Sequence, residues 1–205
     1  MQRETLCYCG NTVTHDFPEK IDVSQERGTI DAILDGSFLQ ISCDKCGEIL
    51  KPDFPILLEN VPSPLGPLSM DYFPEPDRIR YLSGKLSSVS DRVVIGYPEL
   101  REKVLIFKSL LDDRVVEILK FLLWEKAETT ESLTIMMEEC TDEQLSFYIY
   151  GLKEKEVGVT SLPMDIYQKV FDTLQDRMQN EVYAQITEAP YISINKISLE
   201  EGEES

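Results

Sequence analysis

The chain has 205 residues, enough to bury a hydrophobic core in one domain or in a small module joined to a larger one. It carries 38 Asp and Glu against 20 Lys and Arg, and the resulting net charge of -18 repels phosphate backbones and anionic membrane surfaces. The composition therefore argues against nucleic acid and membranes as partners and favours another protein.

Two pairs of cysteines interrupt the first fifty residues, and short segments typical of β-strands flank each pair. The first pair lies in Cys7-Tyr-Cys-Gly and the second in Cys43-Asp-Lys-Cys-Gly. The glycine after each pair, Gly10 or Gly47, allows the positive φ that a tight turn needs. The sequence therefore predicts two hairpins with cysteines at their tips, built from strands 2–6, 12–17, 38–42 and 48–51.

A short helix is predicted between the hairpins, over residues 24–34, because apolar residues recur there at helical spacing before Gly36. Prolines then become frequent, and strands 56–59 and 68–73 are expected on either side of the rigid loop 62–67. The apolar pattern is lost from residue 74 to residue 90. We therefore expect a boundary between two structural units in this stretch.

The second unit is predicted to open with a strand over 92–97. Residues 99–126 are the most apolar part of the chain with helical periodicity, and Asp112 and Asp113 in their middle are residues that favour a helix start. Two consecutive core helices are therefore expected. Asp112 and Asp113 are interpreted as capping residues that pair with Arg114, rather than as buried catalytic carboxylates.

The remaining elements are strands and one helix. Alternating residues predict a hairpin of strands 132–139 and 144–151, with an optional third strand at 157–161. Phe147, Tyr148 and Tyr150 are then divided between the two faces of this sheet. A last helix is predicted over 164–178, followed by a short strand at 191–194 and an acidic, disordered tail.

Together these elements predict an α+β fold in two units. Residues 1–85 are expected to form a β module that carries the two cysteine hairpins, residues 86–195 an α+β domain with a helical pair and an antiparallel sheet, and residues 196–205 an acidic disordered tail. The N-terminal residues lack the pattern of a signal peptide, and no stretch approaches the roughly eighteen apolar residues of a membrane span. We therefore expect a cytoplasmic protein.

The four paired cysteines are the candidate functional residues. In a reducing compartment such pairs are more often metal ligands than disulfides, and two hairpin tips can deliver four thiolates to one tetrahedral zinc ion. The predicted ligands are Cys7, Cys9, Cys43 and Cys46. The fifth cysteine, Cys140, is interpreted as a small, partly buried apolar residue.

Two alternatives remain open because the first pair has only one intervening residue. Cys7 and Cys9 converge on a single ion only if their backbone bends sharply, so three cysteines with His15 or water as the fourth ligand are also considered. The other alternative is a set of metal-free thiols with a reversible Cys43–Cys46 disulfide, which would make a redox sensor. No βαβ pattern surrounds that pair, which disfavours a thioredoxin-like role.

Catalytic motifs are absent from the sequence. The chain has one histidine, no Gly-x-Ser-x-Gly, and no glycine-rich phosphate loop of the P-loop or dinucleotide-binding type. We therefore predict a non-enzymatic protein-interaction module that binds a structural zinc ion. The rival hypothesis is an enzyme with a cleft between the two units.

Several segments together resemble the bacterial CpXC-domain family over most of residues 3–126. They are the two glycine-closed cysteine loops at the hairpin tips, which we call knuckles, together with Asp35-Gly-Ser-Phe, Asp53-Phe-Pro-Ile-Leu, and the stretch from Glu99-Leu-Arg-Glu to Asp113-Arg-Val-Val-Glu. The resemblance implies a zinc-ribbon-like module in a bacterial cytoplasm and implies no reaction. The chain departs from the family pattern at Asp44, where proline is usual, and in the first pair, where Leu6 occupies the position of the expected cysteine.

Overall fold

A computed structural model describes residues 2–26, 28–127, 133–153 and 156–197. The strands are β1 (Gln2–Leu6), β2 (Thr12–Asp16), β3 (Lys20–Asp22), β4 (Ile41–Ser42), β5 (Ile49–Leu50), β6 (Ile56–Val61), β7 (Leu68–Phe73), β8 (Arg92–Ile95), β9 (Thr134–Cys140), β10 (Gln144–Lys153) and β11 (Glu156–Pro163). The helices are α1 (Thr29–Asp35), α2 (Arg78–Leu82), α3 (Tyr97–Lys108), α4 (Asp113–Lys126), α5 (Met164–Asp172), α6 (Leu174–Arg177) and α7 (Glu181–Thr187). The predicted α+β class is confirmed. The predicted tail falls almost entirely outside the described residues.

Both N-terminal hairpins are present, as β1 with β2 and β4 with β5, each antiparallel. The second is shorter than predicted, because Leu39 has a φ of 62° and Phe38 turns into the main core instead of extending the strand. Helix α1 is also shorter than predicted, since it begins after Gly28, which has a φ of 97°.

A mixed four-stranded sheet in the order β3-β6-β7-β8 forms the middle of the molecule. Strands β6 and β7 are the predicted proline-loop hairpin, and β8 adds to β7 in parallel. In the sequence, the predicted unit boundary at residues 85 and 86 falls between β7 and β8, and these two strands pair with each other in the sheet. Tyr97 Oη and Arg101 Nε also donate to the Ile33 and Leu34 carbonyls of α1, at 2.9 and 3.1 Å. The division at 85 stays a prediction, and these contacts join its two sides.

The helical pair α3 and α4 is confirmed and supplies much of the core. Asp112 caps α4 by accepting the Arg114 backbone N–H at 2.9 Å, and its carboxylate pairs with the Arg114 guanidinium at 2.6 Å. The capping interpretation of Asp112 is therefore confirmed. Asp113 differs, because it is fully buried and contacts Arg92 and Lys103.

The antiparallel sheet β11-β10-β9 is the predicted hairpin with its third strand. Phe147 faces the core and Tyr148 the opposite side, as the alternation of the strand requires.

The C-terminal part differs from the predictions in three respects. The predicted helix 164–178 is divided at Thr173 into α5 and α6, and α7 was not predicted. The predicted strand 191–194 is wrong, because this segment lies across the helices without joining a sheet. The Ile194 N–H donates to Glu117 Oε2 at 2.9 Å, and Lys103 Nζ donates to the Ile192 carbonyl at 3.1 Å. Buried side chains here satisfy the backbone groups that a neighbouring strand would otherwise bind.

Asp113 makes the stability of the fold depend on pH. Burial opposes ionisation of its carboxyl, but the neighbouring Lys103 and Arg92 lower its pKa to about 2. A carboxyl with a lowered folded-state pKa stabilises the protein above its unfolded pKa of about 4 and loses this contribution as the pH falls through the folded value.

We therefore expect the difference in unfolding free energy between wild type and Asp113→Asn to shrink by about 2 kcal/mol from pH 5 to pH 2. Urea unfolding of both proteins at several pH values measures this difference. A difference that stays constant over the whole range would contradict the assignment.

Candidate metal centre

The first knuckle is a tight turn between β1 and β2. The Cys7 N–H donates to the Asn11 carbonyl at 2.8 Å, and the Gly10 N–H donates back to the Cys7 carbonyl at 2.9 Å. Gly10 has a φ of 80°, and no residue from Cys7 to Cys9 has a positive φ. The sharp bend that a pair with one intervening residue requires is thus the turn over residues 7–10, with Tyr8 and Cys9 at its centre, and Gly10 ends that turn with its left-handed φ.

The second knuckle follows the same plan with one more residue. The Cys43 N–H donates to the Glu48 carbonyl, the Gly47 N–H donates to the Cys43 carbonyl, both at 2.8 Å, and Gly47 has a φ of 76°. Each loop is therefore closed by one hydrogen bond in each direction and by a left-handed glycine. The missing residue in the first pair shortens the loop without changing its design.

The four sulfur atoms converge where the two hairpin tips meet. All four Sγ atoms lie within 4.8 Å of one another, and the described residues contain no other such group of cysteines, histidines and carboxylates. The Cys7–Cys46 and Cys9–Cys43 Sγ atoms are 3.6 and 3.8 Å apart. Thiolates about 2.3 Å from a tetrahedral ion lie about 3.8 Å from one another. The cluster is therefore placed to hold a metal ion.

The surroundings of the cluster are half buried. Cys7 and Cys43 are each 2% exposed and pack with Leu50, whereas Cys9 and Cys46 face solvent. This small apolar group is separate from the main core. The sulfur cluster thus occupies the position that a hydrophobic core would fill in a larger module.

Asn11 is a functional candidate that the sequence analysis missed. Its Nδ2 atom lies 3.6 Å from Cys43 Sγ and donates to Asp44 Oδ1 at 2.6 Å, so it connects the first hairpin to the second. Asp44 replaces the usual proline, and here its carboxylate receives this contact. The position of Asn11 directly after Gly10 is the only signal that could have identified it.

The thiols differ in acidity. Burial opposes ionisation of Cys43, but the backbone N–H groups of Lys45 and Cys46 and the amide of Asn11 lower its pKa to about 6. The Glu48 backbone N–H favours the Cys46 thiolate, but the crowded sulfurs of Cys9 and Cys7 outweigh it and raise the pKa of Cys46 to about 12. A cation among these sulfurs would favour their ionised forms.

Two comparisons with known proteins found similar sequences. A family model described as CpXC protein matches residues 5–120. The chain belongs to the CpXC family. It is also 23% identical to an uncharacterized protein of Treponema pallidum (strain Nichols), over 93% of this chain and 96% of that protein. No solved structure matches it.

His15 lies outside the cluster of this CpXC protein. It pairs with Arg3 across the first hairpin, three residue pairs further from the tip than Leu6 and Thr12, or about 10 Å along the strands. Its Nε2 atom is 3.2 Å from Thr5 Oγ1, and its ring packs edge-on against Phe17. The alternative with His15 as fourth ligand is not supported by this placement.

Cys140 also lies apart, at the end of β9, where its Sγ is 3.7 Å from the Thr141 carbonyl. It is half-buried, as expected from the sequence. Among the residues described, no helix is long and apolar enough to span a membrane.

A cavity of about 300 Å³ lies between the two predicted units of the CpXC protein, beside Glu75, Arg78 and Glu99. Glu99 accepts four hydrogen bonds, from Arg78 Nη1, Tyr191 Oη, Asn195 Nδ2 and the Ile95 N–H, at 2.7–3.0 Å. A carboxylate that accepts this many hydrogen bonds is fixed in position and serves to hold the surrounding groups together. The cavity therefore gives the enzyme hypothesis no added support.

Proposed function

We propose that this CpXC protein binds one structural zinc ion through Cys7, Cys9, Cys43 and Cys46, and that the ion ties its two N-terminal hairpins together. The observation that carries the proposal is the approach of four sulfur atoms, two from each hairpin tip, to within 4.8 Å of one another. Structural zinc sites use four such ligands in a tetrahedron.

The chemistry of the ligand set favours zinc over other ions and a structural role over a catalytic one. Thiolates select soft or borderline metals, and a tetrahedral set of four suits zinc. Because catalytic zinc keeps a coordination position open for water or substrate, a site with four protein ligands has no place for a reaction. In the cytoplasm, where we place the protein, the thiols stay reduced and available.

Beyond the ion, we propose a protein-interaction role. The small N-terminal apolar group is too small to stabilise two hairpins alone, so the metal would fix the shape of a module that contacts another protein. The net charge of -18 disfavours nucleic acid and anionic membranes and suits a basic protein surface. The redox alternative is less well supported, because the Cys7–Cys46 and Cys9–Cys43 sulfur contacts connect the two hairpins, as a shared metal ion requires.

Native mass spectrometry tests the zinc proposal directly. We expect one zinc ion per chain in protein purified without added metal, and its loss on treatment with a chelator. The Cys140→Ser variant should keep the ion, since Cys140 is outside the cluster. Metal-free protein whose stability is unchanged by added zinc would overturn the proposal.

A further inference from the structure

The outer face of the three-stranded sheet carries an ordered apolar grid. On this face Tyr148 lies between Met136 of β9 and Val159 of β11, and Tyr150 lies between Thr134 and Val157. A third row consists of Glu139, Ser146 and Ser161. Six neighbouring positions therefore hold no charge, and five of the six are aromatic or aliphatic. We call these six residues the outer grid.

Five of the six grid residues are exposed to solvent, and Met136 is buried at 6% exposure. The composition of this face is nevertheless the one expected of a covered surface. Val159 is 65% exposed, Val157 47%, Tyr150 39% and Tyr148 37%. The solvent face of an antiparallel sheet normally carries polar residues, and the opposite face of this sheet is already buried in the main core. An exposed, contiguous apolar patch with polar surroundings is typical of an interaction site.

The charges beside the outer grid are mainly negative. Glu139 lies in the row next to the grid, and the 300 Å³ cavity beyond Thr134 and Met136 is lined by the carboxylates of Glu75 and Glu99 and by the guanidinium of Arg78. The Glu75 side chain is 61% exposed. A cationic side chain of a partner that reached this cavity would therefore be attracted there, and the charge of the whole chain acts in the same direction.

We propose that the outer grid binds a cationic amphipathic helix of a partner protein. A helix laid across the sheet covers the exposed rings and valines, as in layered α/β packing. A strand added at the edge of β11 would leave Tyr148 and Tyr150 uncovered. A second copy of this chain would bring two charges of -18 together, which opposes self-association. This inference rests on the proposed protein-interaction role and names its surface and partner class.

The test uses a synthetic helical peptide of leucine and lysine, about four turns long, with fluorescence anisotropy as the readout. Val159→Lys is expected to weaken binding at least about tenfold, because it places a cation within the apolar grid, directly beside Tyr148. The matched control is Val89→Lys, which makes the same charge change at a fully exposed valine outside the grid and is expected to change the affinity less than about twofold. Equal losses in the two variants would show attraction to net charge alone and overturn the proposal.

Two further experiments test whether the partner must be cationic and whether the grid instead binds a second copy of the chain. The matching peptide of leucine and glutamate should not bind, and equal binding of both peptides would overturn the cationic partner. Sedimentation of wild type and Val159→Lys tests the remaining occupant, since a wild-type dimer that the substitution dissociates would assign the grid to self-association instead. Metal content measured on the same samples reports on the zinc proposal independently, so one proposal can fail without the other.

Discussion

Cys43→Ser is expected to lower the zinc affinity by more than about 100-fold, which exceeds the usual effect of an outer-shell change. Cys43 Sγ is buried, lies 3.8 Å from Cys9 Sγ and receives the Asn11 amide, so this substitution removes a central member of the cluster. Competition with a chromophoric chelator measures the affinity. Hydrogen exchange should show that the loss of protection is confined to the two hairpins, because their apolar group is separate from the main core.

Two variants complete the series. Cys7→Ser should behave like Cys43→Ser, because Cys7 is equally buried and lies 3.6 Å from Cys46. Tight binding retained by Cys7→Ser would show that the shorter knuckle supplies only one ligand. Cys140→Ser removes a thiol outside the cluster, and a comparable loss of affinity in that variant would mean that the substitutions act through general instability.

Lys120→Met is expected to destabilise the protein by about 3–5 kcal/mol at neutral pH. Lys120 Nζ lies 2.9 Å from Glu102 and 3.0 Å from Glu117, and all three side chains are almost fully buried between α3 and α4. Without the ammonium group, two buried carboxylates would face each other with no cation. Urea unfolding measures the change. Lys169→Met is the matched control, since Lys169 pairs with Asp165 in solvent and should cost less than about 1 kcal/mol.

The pH dependence identifies the cause of this loss. Burial raises the pKa of Glu102 to about 7 even beside Lys120, and the pKa should rise further without it. A carboxyl with a raised folded-state pKa keeps its full stability below the unfolded pKa and loses it as the pH rises through the folded value. The cost of Lys120→Met should therefore be greater near pH 8 than near pH 5.

A double variant checks the same point at fixed pH. Glu102→Gln added to Lys120→Met removes one of the two facing charges and retains an oxygen for the Met137 N–H, which Glu102 binds at 2.6 Å. The double variant should therefore regain much of the lost stability. A cost that is independent of pH and unchanged by Glu102→Gln would point to lost packing instead of charge.

Local patterns in the sequence were sufficient for most of the elements and for the candidate ligands. A cysteine pair followed by a glycine indicates each hairpin tip, and apolar periodicity with Asp112 at the junction indicates the helical pair. The CpXC resemblance of residues 3–126 is confirmed by the family match over residues 5–120. These features were predictable because they depend on neighbours within a few positions of the chain.

The predictions that failed concern segments whose structure depends on contacts with residues distant in the sequence. The segment after Pro190 has the apolar alternation of a strand, but its hydrogen bonds go to Glu117 and Lys103, residues distant in sequence. Asp113 looks like a second capping residue in the sequence and is instead a buried counter-ion for Arg92 and Lys103. Pattern rules assume that polar side chains face water, and buried ionic contacts violate that assumption.

The cysteine site shows the same division. The sequence by itself determined that this CpXC protein carries four paired thiols on two glycine-closed turns, because a turn is set by the backbone preferences of adjacent residues. Only the tertiary structure decided that the two tips meet, that Cys7 belongs to the cluster, that His15 does not, and that Asn11 joins the hairpins. Those facts depend on how β1, β2, β4 and β5 pack in space, and spacing along the chain does not encode such packing.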